Sequence, residues 1–198
     1  MISSPFQVHE RDRVALVIDG PSIYQTSKQL GFDVDYGKIL GLLRESCRFH
    51  RAYYYTVLRE TEAGLTMMPL VDWLEFNGYT VFHKVMREFE LEDGRRKTKG
   101  TIIPEISTDL GDIATQVDHI LLVSGDGDLA YAVEAAQRKG CKVTIISSTL
   151  TSPAAISDEL RRRSDHFLDL ESLRPAISRQ HTGMTVRAAR SRIPGVTP

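Results

Sequence analysis

With 198 residues, 41% apolar and 26% charged, the chain has an ordinary globular composition and is long enough to bury one substantial core. A net charge of −1 excludes a global basic signal for nucleic acid, so that case falls to local patches. No apolar run approaches bilayer-spanning length, residues 1–10 lack the apolar core and cleavage site of a signal peptide, and Cys47 and Cys141 both fall inside predicted elements. The expectation is a cytoplasmic protein with no membrane association.

Val14-Ala15-Leu16-Val17-Ile18 is a continuous β-branched and aliphatic run ended by Asp19-Gly20-Pro21, as when a strand buried on both faces meets a turn. Ser22 to Leu30 predicts a helix stopped by Gly31. Asp35 to Cys47 predicts a second helix, with an apolar stripe at Ile39, Leu40, Leu42 and Leu43 and Asp35 as its N-cap. Arg51 to Val57 is rich in strand formers, Met67 to Phe76 is helical up to Asn77-Gly78, and Tyr79 to Val85 is a third strand. Arg87 to Lys99 is a polar stretch of mixed charge, expected as an exposed hairpin or loop.

Glu105 to Thr115 predicts a short helix. His119-Ile120-Leu121-Leu122-Val123-Ser124 is the clearest strand in the chain and runs into Gly125-Asp126-Gly127-Asp128. Leu129 to Arg138 is helical with Gly140 as its stop, Lys142 to Ser147 is strand five, and Ser152 to Arg163 is a further helix entered through Pro153. Strand and helix alternate, which implies right-handed crossovers and an α/β fold: a three-layer α/β/α sandwich on a mostly parallel sheet of about five strands. From Arg174 onward Gly, Pro, Ser and Thr become frequent, and Arg179, Arg187, Arg190 and Arg192 occur with no acidic residue among them. The expected organisation is an N-terminal arm over 1–11, one domain over 12–172 and a basic, disordered tail over 173–198.

In such a sheet ligands gather at the carboxyl ends of the strands, where Asp19, Asp126 and Asp128 all fall. Asp109 and Asp112, in the helix before strand four, are positioned to join them. Two carboxylates about 5 Å apart repel by roughly 3 kcal/mol at an effective dielectric near 20, so a cluster needs a cation or a proton. Hard oxygen ligands favour Mg²⁺ or Mn²⁺, which can hold a phosphodiester and activate water for in-line attack. The plainer alternative is that Asp19 and Asp128 only cap the helices that follow them. Two acids alternating with two glycines exceed what one cap requires. The six histidines are dispersed, without zinc-ligand spacing.

Val17-Ile18-Asp19-Gly20-Pro21-Ser22-Ile23-Tyr24, Lys99-Gly100, Glu105 with Asp109, and Val123-Ser124-Gly125-Asp126-Gly127-Asp128 occur in the order seen in NYN domains. These are the LabA-like branch of the PIN-like nucleases, which the chain resembles over roughly residues 12 to 170. The resemblance implies metal-dependent cleavage of RNA, with single-stranded or loop regions as substrate. By position, Asp19, Asp109, Asp126 and Asp128 look like the catalytic acids, and Asp19, Asp126 and Asp128 like the metal ligands. Ser22, Ser124, Arg95, Arg96, Lys97 and Lys99 are expected along the RNA. The family usually has asparagine at the position of Ser22 and aspartate at that of Ile103, and isoleucine cannot bind a metal. A catalytically impaired module that binds RNA, nucleotide or a protein partner is therefore the competing expectation. Self-association is compatible with either.

Overall fold

The computed structural model describes residues 4–61, 64–65, 67–90 and 96–180; for 59–61, 64–65, 87–90 and 96–99 it describes the backbone. The elements in chain order are β1 (Arg13–Asp19), α1 (Gly20–Leu30), α2 (Tyr36–Ser46), β2 (Arg48–Thr61), β3 (Gly64–Leu65), α3 (Met68–Phe76), β4 (Tyr79–Glu90), β5 (Arg96–Lys99), α4 (Ile103–Ile113), β6 (His119–Val123), a 3₁₀ turn (Gly127–Leu129), α5 (Ala130–Gln137), β7 (Lys142–Ser147), α6 (Asp158–Arg163), β8 (His166–Asp169) and α7 (Leu170–Ile177). The sheet order is β5-β4-β2-β1-β6-β7-β8, with β3 attached to β2. The run from β4 to β8 is six parallel strands. β5 is antiparallel to β4, and β3 is antiparallel to β2.

The apolar runs account for this architecture. Val14 to Ile18 and Ile120 to Val123 are buried throughout, as strands covered on both faces must be. Their side chains alternate between two cores. Val14, Leu16, Ile18, Leu121 and Val123 join Ile23, Leu40, Leu43, Leu74 and Leu173 on one face, under α1, α2, α3 and α7. Ala15, Val17, Ile120 and Leu122 join Ile106, Leu110, Val133 and Leu160 on the other, under α4, α5 and α6. From β1 the chain winds outward to β4 with helices on the first face. It then returns to the other side of β1 with helices mainly on the second. The winding therefore reverses between β1 and β6, and the carboxyl ends of those two strands flank the switch point where such sheets place ligands.

Several expectations are corrected. β8 is a sixth parallel strand beyond the five expected; it is four residues long at the sheet edge, and of its side chains only Leu168 is buried. The stretch expected as hairpin or loop needs no such correction: β4 continues to Glu90 and pairs antiparallel with β5, and residues 91–95 lie outside the described residues. The helix expected from Ser152 begins only at Asp158, capped by the Ser157 hydroxyl, which accepts from Leu160 N at 3.1 Å. Residues 152–157 instead fold back against the sheet end. There Ala155 N and Ile156 N donate to Ser148 O, and Ser157 N donates to Gly125 O at 2.9 Å. α7 runs five residues into the segment expected as tail, and its end is tied down where Asp35 N donates to Ile177 O at 2.8 Å. Residues 181–198 of that tail lie outside the described residues. No helix among the described residues is long and apolar enough to cross a membrane.

Candidate functional site

Asp19 is the last residue of β1 and the N-cap of α1. It pairs in register with Tyr55 of β2, which in turn pairs with Phe82 of β4. On the other side Ile18 pairs with Val123, so Asp19 is level with Ser124 just beyond β6. Phe82, Tyr55, Asp19 and Ser124 thus form one row along the carboxyl edge of four adjacent strands, on the face covered by α4 and α5.

Hydrogen bonds close this row into a fixed unit. Ser124 Oγ donates to Asp19 Oδ2 at 2.9 Å, and Ser22 N donates to Asp19 Oδ1 at 3.3 Å. Ser22 Oγ accepts from Gly125 N at 3.2 Å, and Ser124 Oγ accepts from Asp126 N at 3.2 Å. Asp126 Oδ1 accepts from Asp128 N at 2.9 Å. Ser22 therefore supplies an acceptor that locks the turn after β6 to the first turn of α1. Gly125 is dictated by close approach: a Cβ there would stand 1.7 Å from Ala155 O. Gly20 is constrained likewise, since a Cβ would lie 2.8 Å from the Tyr54 ring.

Asp19 is only 4% exposed, and burial pushes its carboxyl above the ordinary carboxylate range. The bonds from Ser124 and Ser22 oppose that rise, and the negative charge of Asp126 adds to it. A buried acid within electrostatic reach of a second acid carries a repulsion that capping α1 does not require. The capping alternative is half right: Asp19 does cap α1, but the cap of the 3₁₀ turn is Asp126, not Asp128. Asp128 is exposed on that turn.

Asp109 stands half-buried on α4, where Tyr55 Oη donates to its Oδ2 at 2.7 Å. Tyr55 is completely buried, stacked on Phe82 with centroids 5.0 Å apart, so it is a rigid post for that carboxylate. The aromatic triplet signalled a strand in the sequence; nothing in it signalled this bond. Glu105, one turn before Asp109 on the same face of α4, pairs with Lys84 of β4. Asp112 is exposed. Ile103 opens α4 and packs against the second core, while its N–H donates to Thr101 Oγ1 at 3.2 Å.

Of the basic residues, Arg96, Lys97 and Lys99 lie on β5, whose backbone pairs with residues 87–90 of β4 and leads through Gly100 toward α4. Arg95 lies outside the described residues, and so do the side chains of the other three.

Residues 13–171 match the model of the NYN domain. The chain belongs to the NYN domain family. It is also 30% identical over 171 residues to the low amplitude and bright protein LabA of Synechococcus elongatus, an alignment covering 84% of this chain and 88% of that one. A crystal structure of a protein of unknown function from Vibrio parahaemolyticus shares the fold, with a TM-score of 0.64 at 24% identity over 83% of this chain and 96% of the other. NYN membership places the chain in the PIN-like nuclease superfamily, whose nucleases typically use divalent metals and whose substrates are nucleic acids. Among the described residues no three His, Cys, Asp or Glu side chains stand close enough together to hold a metal ion. Asp19 and Asp126 are both bonded to the Ser124 hydroxyl and lie within electrostatic reach of one another. A pair of carboxylates is the usual protein share of a Mg²⁺ site, where waters and substrate phosphate complete the shell, so the donors fit.

Proposed function

We propose that this NYN domain is a metal-dependent endoribonuclease that hydrolyses phosphodiester bonds of single-stranded or looped RNA. Asp19 and Asp126 would hold Mg²⁺ or Mn²⁺, with Asp128 on the exposed lip of the same turn. The observation that carries the reading is the buried Asp19 carboxylate, held by Ser124 and Ser22 within electrostatic reach of Asp126 at the switch point of the sheet. A bound divalent cation stabilises charge on a phosphoryl oxygen and acidifies water.

The chain's own groups do the positioning. Ser124 orients the Asp19 carboxylate, and the Ser22 hydroxyl holds the Gly125-Asp126 turn against α1, so both acids present to the same rim. Asp109, fixed by Tyr55, is the acid available to accept a proton from water or to steer it. Ser22, Ser124 and the basic residues Arg95, Arg96, Lys97 and Lys99 are assigned to the RNA strand, the last four as backbone neutralisers.

The test is cleavage of labelled RNA in Mn²⁺ by the wild type, Asp126→Asn and Ser124→Ala. The expected result is cleavage that a chelator stops. Ser124→Ala should slow it by about 10–100-fold, as for an outer-shell partner, and Asp126→Asn by more than that. Cleavage that survives Asp126→Asn undiminished refutes the assignment.

Ile103 supports a second reading, a module that binds RNA, nucleotide or a protein partner without turnover. An isoleucine packed into the core stands where the family usually has a carboxylate. RNA binding without cleavage by the wild type, with cleavage appearing in Ile103→Asp, is the result that selects it.

A further inference from the structure

Beside the acidic rim lies a groove of about 700 Å³ lined by Pro21, Tyr24 and Gln25 of α1, by Thr56 and Val57 in the second half of β2, and by Met67. Gly20, the residue that follows Asp19, also lines it. We propose that this groove seats one unpaired nucleobase of the RNA strand, stacked on the Tyr24 ring, next to the nucleotide whose phosphate faces Asp19 and Asp126. The inference rests on the reading that RNA is the ligand, and it assigns a recognition residue that the acidic motifs do not contain.

Four observations select a base as the occupant. The volume leaves ample room for a base and its sugar, within the range that holds small ligands. Tyr24 is 56% exposed, unlike Tyr54 and Tyr55 at 0%, so its ring is accessible for stacking. The surroundings offer mainly apolar surface from Pro21, Val57 and Met67, together with the amides of Gln25 and Gln29, which both donate and accept as the edges of bases require. Finally, the one cation among the described residues that line the groove, Lys28, is already paired with Asp33 at 2.6 Å while lying 5.7 Å over the Tyr24 ring. The groove therefore suits a flat uncharged ring better than a phosphate, and phosphates are left to the rim. The geometry is compatible with one strand: about 7.5 Å of helix rise separates Asp19 from Tyr24.

The experiment compares an eight-nucleotide oligoadenylate with an abasic strand of equal length and charge, by fluorescence anisotropy in chelator so that no cleavage intervenes. The wild type should bind the oligoadenylate more tightly. Tyr24→Ala should weaken that binding by about 5- to 150-fold, the range for one base–aromatic stack, and leave the abasic strand unaffected. Tyr24→Phe should retain the wild-type affinity, since it keeps the ring. Circular dichroism melting confirms that the variants fold. Equal affinity of the wild type for both strands overturns the proposal and gives the groove to another occupant, and so does an equal loss on both strands in Tyr24→Ala. Manganese-dependent cleavage by the wild type, combined with identical titrations for wild type and Tyr24→Ala, overturns the base seat while leaving the nuclease reading standing. Tyr24-dependent binding without cleavage supports the seat and overturns the nuclease.

Discussion

Substituting Gly125 by alanine tests how tightly the turn that carries Asp126 is clamped. The added methyl would lie 1.7 Å from Ala155 O and 2.7 Å from the Ala155 carbonyl carbon, whereas real Cβ contacts essentially never fall below 3.0 Å. The obstacle is backbone, not a side chain that can rotate away, so the two segments must part by about an ångström or more. Overpacking of this kind costs about 1–3 kcal/mol. Parting also breaks the bond from Ser157 N to Gly125 O, worth about 1 kcal/mol more. The expected loss is about 3 kcal/mol, or roughly 6–12 °C in Tm for a domain of this size. Urea unfolding followed by far-ultraviolet circular dichroism measures it, with Gly41→Ala as the control. Gly41 lies inside α2, and a methyl added there would meet nothing within 4 Å, so alanine should stabilise by about 0.5–1 kcal/mol through helix propensity alone. Wild-type stability in Gly125→Ala refutes the clamp.

Asp19→Asn should make the protein more stable at neutral pH. Burial raises the folded carboxyl above its unfolded value near about 3.9, so the folded chain binds that proton more tightly; the contribution favours folding in acid and is lost as pH rises through the folded value. The gain in the variant should shrink toward pH 3, and a variant less stable than wild type at pH 7.5 in urea titrations contradicts this sign. Tyr55→Phe removes the donor to Asp109 and should cost about 1–2 kcal/mol in the same assay; an unchanged midpoint would show that the bond contributes nothing net. Burial pushes the thiols of Cys47 and Cys141 up to about 11, so both should react slowly with maleimide in the folded protein at pH 7.5 and quickly in denaturant. Rapid labelling of the folded chain refutes the burial argument.

The central strands were legible because Val14–Ile18 and Ile120–Val123 are apolar without interruption, and only burial on both faces accounts for such runs. β8 was not, because His166-Phe167-Leu168-Asp169 at the edge buries one face only in part and is too short to show a period. The helix expected from Ser152 failed for a tertiary reason: Ala155 N donates to Ser148 O and Ser157 N to Gly125 O, partners that local spacing cannot reveal. In the site, Asp19 and Asp126 followed from strands ending in turn residues. The hydroxyls of Ser22 and Ser124 acquire their bonding roles only once β1 and β6 are neighbours. Tyr55 stayed hidden among strand-forming aromatics, and the groove at Tyr24 depends on how far β2 runs past Asp19.

The bond between Ser124 and Asp19 joins positions 105 residues apart, and β1 lies between β2 and β6 in the sheet. Closing so long a loop costs entropy before any contact repays it, so pairing of β6 with β1 is a slow step relative to the nearer pairings of β1 with β2 and β2 with β4. Until it occurs, Asp19 sits at the rim of a half-sheet whose β1 edge is open to pairing with other chains. The acidic unit thus has a date of birth in the life of the chain. A polypeptide interrupted before Ser124 carries half of the acids and none of the site, and the appearance of Asp19–Ser124 coupling marks the moment at which the two halves of the sheet join.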